Sequence, residues 1–131
     1  MRLPAIVMAA FLGGIAGSAA RSLVMVAFTA GGGSGLAARM AINVFGAFLA
    51  GLYLARREAD PGRLTSLEPL LVAGFLGGFT TVAGYALDGA TAIGDGAWST
   101  FVGLVAVDGA IGLAAAALGH RLARRRPAPA H

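Results

Sequence analysis

The residues best suited to do chemistry in this chain lie at 74–81, which read GFLGGFTT. Three glycines and two adjacent threonines interrupt an apolar stretch long enough to cross a bilayer. They are poor material for a continuous helix. Non-helical backbone at membrane depth is tolerated only where it is buried in protein or lines a polar cavity. Such a break frees carbonyls and amides, and these are ligands for ions. Two other polar side chains stand out within the apolar segments. Asn43 offers an isolated amide, and Asp108 a carboxylate near the middle of the last apolar segment. At that depth both are expensive unless used. The chemistry on offer is ion coordination: oxygens for a hard cation, N–H groups for a small anion.

Four apolar segments must position these groups. They run from about Leu3 to Phe28, Leu36 to Ala55, Pro69 to Leu87 and Trp98 to Leu118. Each is near the roughly 20 residues a spanning helix needs. A Gly-rich turn (31–35), a polar loop (56–68) and a short loop (94–99) join them, leaving no room for a soluble domain. The tail at about 121–131 is basic and Pro-containing, and is expected to be disordered. The expected fold is an all-α membrane protein of one domain, residues 1–131, with four transmembrane helices and a break in the third. Composition agrees: of 131 residues, 57% are hydrophobic and 12% charged, and a soluble domain carries about twice that charged share. Without cysteine there is no disulfide or thiolate site.

The net charge of +4 does not signal nucleic acid, because no basic face or nucleic-acid motif is present. The ten basic residues are all Arg and cluster at segment ends. With four spans, Arg2, Arg56, Arg57, Arg63, Arg121, Arg124, Arg125 and Arg126 share one side, and only Arg21 and Arg39 lie on the other. The positive-inside rule then places both termini in the cytoplasm of a multi-pass protein of the cell (inner) membrane. The first twenty residues also have the Arg, the apolar run and the A-x-A-like end of a signal peptide. Cleavage there would leave Arg21 leading straight into more apolar sequence, so a retained first helix fits better. Trp98 reads as an interfacial anchor.

Glycine supplies the packing signal. Gly13–Gly17 and Gly74–Gly78 are GxxxG spacings, and Gly109 and Gly112 lie three apart in the fourth segment. Small residues so spaced let helices approach closely in lipid. Four short helices enclose little, so a conduction path needs a second subunit.

The pieces GGIAGSAAR (13–21), INVFGAFLAG (42–51) and GFLGGFTT (74–81) together resemble the Fluc (CrcB) family of fluoride channels. The fourth span matches in length only. The resemblance implies a fluoride-selective channel that exports cytoplasmic fluoride, built as a dimer of antiparallel four-helix subunits with two fluoride paths and a central, structural Na+ that is not transported. By that resemblance, backbone oxygens at Gly77 and Thr80 hold the sodium. Asn43, Thr81, Val82 and Tyr85 fall on the fluoride path, and Arg21 at its vestibule. Oxygen ligands do suit a hard cation, though the same glycines and threonines could simply pack a kinked helix, with hydroxyls bonded to earlier carbonyls. Asn43 could equally bond between helices, and Arg21 could snorkel to the interface.

The chain also departs from the family. Where the family has T-T-F-S-T-F, it reads TTVAGY (80–85). Val82 has no ring edge to face an anion, whereas Tyr85 keeps a ring and adds a hydroxyl. In the fourth span Asp108, Ala110 and Gly112 stand where the family carries small hydroxyl residues. A charged Asp108 would repel fluoride, so it is expected either neutral or paired with an Arg. An antiparallel homodimer also needs one sequence inserted both ways, and the arginine bias opposes that. The chain is therefore expected either in a homodimer or, given the bias, beside an oppositely oriented homologue, as a pore-deficient half of a heterodimer.

Two other classes remain open. A small proton-coupled exporter would use Asp108 for proton exchange, and a purely structural subunit would carry no flux. Nothing suggests an enzyme: His120 and His131 lie at the end of the last segment and in the tail, with no nucleophile–base or zinc-ligand spacing.

Overall fold

In a computed structural model, which describes residues 2–60, 62, 67–81 and 83–124, the chain forms four membrane-length spans with no strand among the described residues. Helix α1 covers Leu3–Ala30 and starts on Pro4, whose missing N–H is no loss in a first turn. It ends at Gly31 and Gly32; Gly32 turns the chain with φ of 84°. Helix α2 covers Gly35–Ala59, and Ser34 caps it by accepting the Ala37 N–H at 3.2 Å.

The third span is built in pieces. Residues Pro69–Leu76 (α3) are wound as a π-helix, Gly77–Phe79 (α4) make one α-turn, and Ala83–Gly94 (α5) resume as an α-helix. Between them Thr80 is extended, with φ −78° and ψ 155°. The break thus falls at the two threonines rather than at the glycines. A tight turn with Gly96 at φ 70° leads into α6, Trp98–Arg124. Arg121 and Arg124 continue that helix and do not belong to a disordered tail; residues 125–131 lie outside the described residues.

Two close crossings hold the spans. Helix α1 lies against α3 and α4 through the glycines of both GxxxG spacings. A Cβ on Gly13 would overlap the Leu70 carbonyl, one on Gly17 the Phe75 carbonyl, one on Gly74 the Ala10 carbonyl and one on Gly78 the Gly14 carbonyl. Helix α1 is thus integral to the bundle. Helix α2 lies against α6 in the same manner, with Gly51 on the Ala116 carbonyl and Gly119 on the Phe48 carbonyl. Gly112 only brushes Ala47, and Gly109 faces open space, so the Gly109–Gly112 spacing is not the contact.

At one end of the bundle Glu58 Oε2 accepts from His120 Nε2 at 3.0 Å and pairs with Arg124 at 3.3 Å. The C-terminal ends of α2 and α6 therefore sit on the same side. Few side chains are buried, and large apolar residues such as Leu3, Phe11, Leu23, Ile93 and Leu113 point outward. That surface suits lipid.

Candidate ion path at the break in the third span

The break is held open by α2. Thr81 donates its N–H to Asn43 Oδ1 at 3.1 Å. One turn on, the bare face of Gly46 receives the Thr80 methyl; a Cβ there would overlap Thr80 Cγ2. Asn43 and Gly46 are three residues apart, hence on one helix face. The N-x-x-G spacing therefore grips both threonines. Phe79, buried beside the break, stacks on Phe75 at 5.7 Å and meets the edge of Phe45 at 6.3 Å. These rings are packing.

Two amides diverted from the helix decide what the break can do. Thr81 N–H would otherwise answer the Gly77 carbonyl, but it goes to Asn43. Gly84 N–H would answer the Thr80 carbonyl, but it goes to Thr81 Oγ1 at 3.3 Å. Among the described residues, the Gly77 and Thr80 carbonyls thus lose their helical donors. Thr80's own N–H and hydroxyl both point back to the Leu76 carbonyl, at 3.0 and 2.8 Å. Freed carbonyls at a broken membrane helix fit a hard monovalent cation. Gly77 is also exposed on the subunit's surface, where a second subunit could add oxygens.

On the other side of the break, α5 begins. Its N-terminal end carries the positive pole of its peptide dipoles and faces the Asn43–Thr81 junction. One turn into α5, the Tyr85 hydroxyl donates to Asp108 Oδ2 on α6. Asp108 is 7% exposed, and its Oδ1 has no partner. Asn43 and Asp108 line one side of an open groove of about 510 Å³ between α2 and α6, whose other walls are Ala47, Ala50, Gly112, Leu113 and Ala116 among others. The Arg pairing considered for Asp108 does not form with any described residue of the chain; its partner is a tyrosine.

A second polar pair, which sequence reasoning missed, lies one turn above. Arg39 bonds Asp88 at 2.7 Å, and its Cδ packs on Gly84. Arg39 precedes Asn43 by four residues and Asp88 follows Tyr85 by three, so the pair continues the same polar line. The two charges lie 49 residues apart, which left no local signal beyond those spacings. Arg21 is half-buried, one turn past Gly17 on the face of α1 that crosses α4, and has no bond to a described residue. Val82 lies outside the described residues. The structure thus joins Asn43, Thr81, Tyr85 and Asp108 in one cluster, places Gly77 and Thr80 beside it, and leaves Arg21 apart.

Comparison with known proteins agrees with this architecture. Residues 8–120 match the family described as CrcB-like protein, Camphor Resistance (CrcB). The chain is 39% identical over 88 residues to a protein of Parasynechococcus marenigrum (strain WH8102) named fluoride-specific ion channel FluC 2, covering 67% of this chain and 63% of that one. It is 36% identical over 84 residues to the fluoride-specific ion channel FluC of Chlorobium luteolum (strain DSM 273 / BCRC 81028 / 2530), covering 64% of this chain and 65% of that one. With the protein of the same name from Ruegeria pomeroyi (strain ATCC 700808 / DSM 15171 / DSS-3) it shares 36% identity over 122 residues, 92% of either chain. The first two matches therefore span just under two thirds of those relatives' length, and the third nearly all of it. With its four spans, its broken third helix and this match from α1 into the last turns of α6, the chain belongs to the CrcB family.

Proposed function

We propose that this chain is a subunit of a fluoride-selective channel that exports cytoplasmic fluoride. The observation that carries the reading is the bond from Thr81 to Asn43. It holds a membrane helix open and sets anion-binding and cation-binding groups on either side of one break. A small, strongly hydrated anion needs close donors to leave water. The Asn43 amide and the N-terminal end of α5 supply them in low dielectric, where such donors act strongly, and the Tyr85 hydroxyl beside them is bonded to Asp108. The names of the relatives point to the same ion.

The freed carbonyls of Gly77 and Thr80 would hold a structural sodium, shared with the same pair of a second, antiparallel subunit. That ion would join the subunits at the centre and take no part in conduction. The surface position of Gly77 supports sharing. The eight-to-two distribution of arginines supports cytoplasmic termini and favours a second subunit of opposite bias over a homodimer.

The test is fluoride efflux from liposomes that hold the purified chain, alone and together with an oppositely biased homologue, with chloride as the comparison. Fluoride release well above protein-free vesicles, without chloride release, is the expected result. Equal release of both ions rejects the reading. The buried Asp108, whose Oδ1 has no partner, favours a second reading, a proton-coupled exporter; that reading predicts flux driven by a proton gradient and abolished by Asp108→Asn.

A further inference from the structure

We propose that Asp108 limits its own subunit's ion path, standing as a tethered acceptor where a permeating anion needs donors. The inference rests on the fluoride reading and names the residue that sets the rate.

Hydrogen bonds at the junction carry it. The Tyr85 hydroxyl has one proton, and it goes to Asp108 Oδ2. The Asn43 carbonyl oxygen takes the Thr81 N–H. Asp108 Oδ1 is left as a buried acceptor with no partner, at the wall of the groove. The polar complement is therefore inverted: a hydroxyl suited to an anion is committed to a carboxylate of the protein itself. An acceptor repels fluoride whether or not it carries a full charge, and a charge does so more strongly in low dielectric.

The Asn43 NH2 is the one donor that shares the groove with Asp108 among the described residues. Among the described residues, Arg39 is spent on Asp88, Arg57 on Glu68, and Arg124 and His120 on Glu58. Apart from Asn43, the groove walls beside Asp108 are small or apolar, among them Ala47, Ala50, Gly112 and Leu113. They add no donor to compete for the carboxylate. Releasing the Tyr85 hydroxyl therefore requires changing Asp108 itself.

The experiment compares initial rates of fluoride efflux from liposomes containing the full chain, its Asp108→Asn and Asp108→Ser variants, and two controls. Asn keeps the shape and replaces one acceptor by a donor; Ser is smaller and carries a hydroxyl. Both variants are expected to raise the rate about tenfold or more, the factor carried by about 1.36 kcal/mol of barrier. Asp108→Glu, which keeps the acceptor, stays at or below the wild-type rate. Asp95→Asn, in the exposed turn before α6, stays at the wild-type rate. The two substitutions differ in size, so a folding defect in one leaves the other to decide. Flux in the wild type with no gain in either variant overturns this proposal alone. Loss of flux in Asp108→Asn overturns it in favour of the exporter. A gain in Asp108→Glu equal to that in Ser overturns it as well. No fluoride flux from any form, alone or reconstituted with an oppositely biased homologue, overturns the channel reading and this proposal with it.

Discussion

Thr81 and Asn43 are joined across 38 residues by a bond that replaces a helical one: the Thr81 amide leaves its own span to reach Asn43 Oδ1 at 3.1 Å. Replacing Asn43 by Ala strands that amide in a part-buried site, where an unmet donor costs about 1–3 kcal/mol. The expected outcome is a lower unfolding temperature in detergent together with loss of fluoride efflux. Asn43→Asp keeps the acceptor and should retain more of the stability, though its charge disfavours the anion. If Asn43→Ala unfolds at the wild-type temperature, Asn43 does not hold the break open.

The α1 crossing predicts a graded series of glycine substitutions. At Gly17 a Cβ would run into backbone atoms of Phe75 and Phe79, which cannot swing aside as a side chain does. Gly17→Ala is expected to destabilise by about 1–3 kcal/mol, the usual cost of overpacking. Gly103 meets nothing within 4 Å and sits in α6. Gly103→Ala should be neutral or mildly stabilising, since Ala is favoured over Gly in a helix by about 0.8–1.0 kcal/mol. Thermal unfolding of the two purified variants separates these cases, and equal midpoints would contradict the close crossing.

How far the sequence foretold this structure differs from residue to residue. Hydropathy alone yields four spans, and the Gly13–Gly17 and Gly74–Gly78 spacings do meet each other. The break was legible because Gly and Thr concentrate in one apolar segment. Its location at Thr80–Thr81 was not, since it depends on an amide bonding to Asn43 on another helix. The π-winding of 69–76 has no local signature, and neither does the continuation of α6 to Arg124. Pairs across helices were the hidden part. Asp108 bonds Tyr85, 23 residues back, and none of the described arginines. Gly109 read as a packing residue, and Gly51 and Gly119 fill that place, because the angle of a crossing selects which glycines touch.

The Arg39–Asp88 pair predicts a strong effect from single substitutions and a weak one from the double. Both side chains are part-buried, at 20% and 27% exposure, so the pair stands between a surface bridge and a buried one. Arg39→Met alone leaves Asp88 uncompensated and should cost about 1–3 kcal/mol, below the 3–5 of a fully buried pair. Asp88→Leu alone should behave alike. With both changed, stability should largely return, since apolar residues suit that depth. A double-mutant cycle on unfolding midpoints gives the coupling, and strictly additive losses would mean that the two charges act independently.

Sodium dependence gives the sharpest test of the Gly77–Thr80 carbonyls, because backbone ligands survive changes of side chain. A cation that binds only the folded dimer stabilises it by RT ln(1 + [L]/Kd), about 2.7 kcal/mol at a hundredfold excess over Kd. Exchanging sodium for N-methylglucamine should therefore lower the unfolding temperature of the purified protein. Thr80→Ala removes the hydroxyl bonded to Leu76 and the methyl seated on Gly46, so its baseline stability should fall somewhat. Its carbonyl remains, and so should the sodium-dependent shift. Gly77→Ala adds a Cβ whose nearest neighbour is the Val72 carbonyl at 3.7 Å, an ordinary contact, and should also keep the shift. A shift that disappears in Thr80→Ala would assign the ion to the threonine hydroxyl instead. A wild type that unfolds alike in both salts would leave the freed carbonyls to water or to contacts with a second subunit.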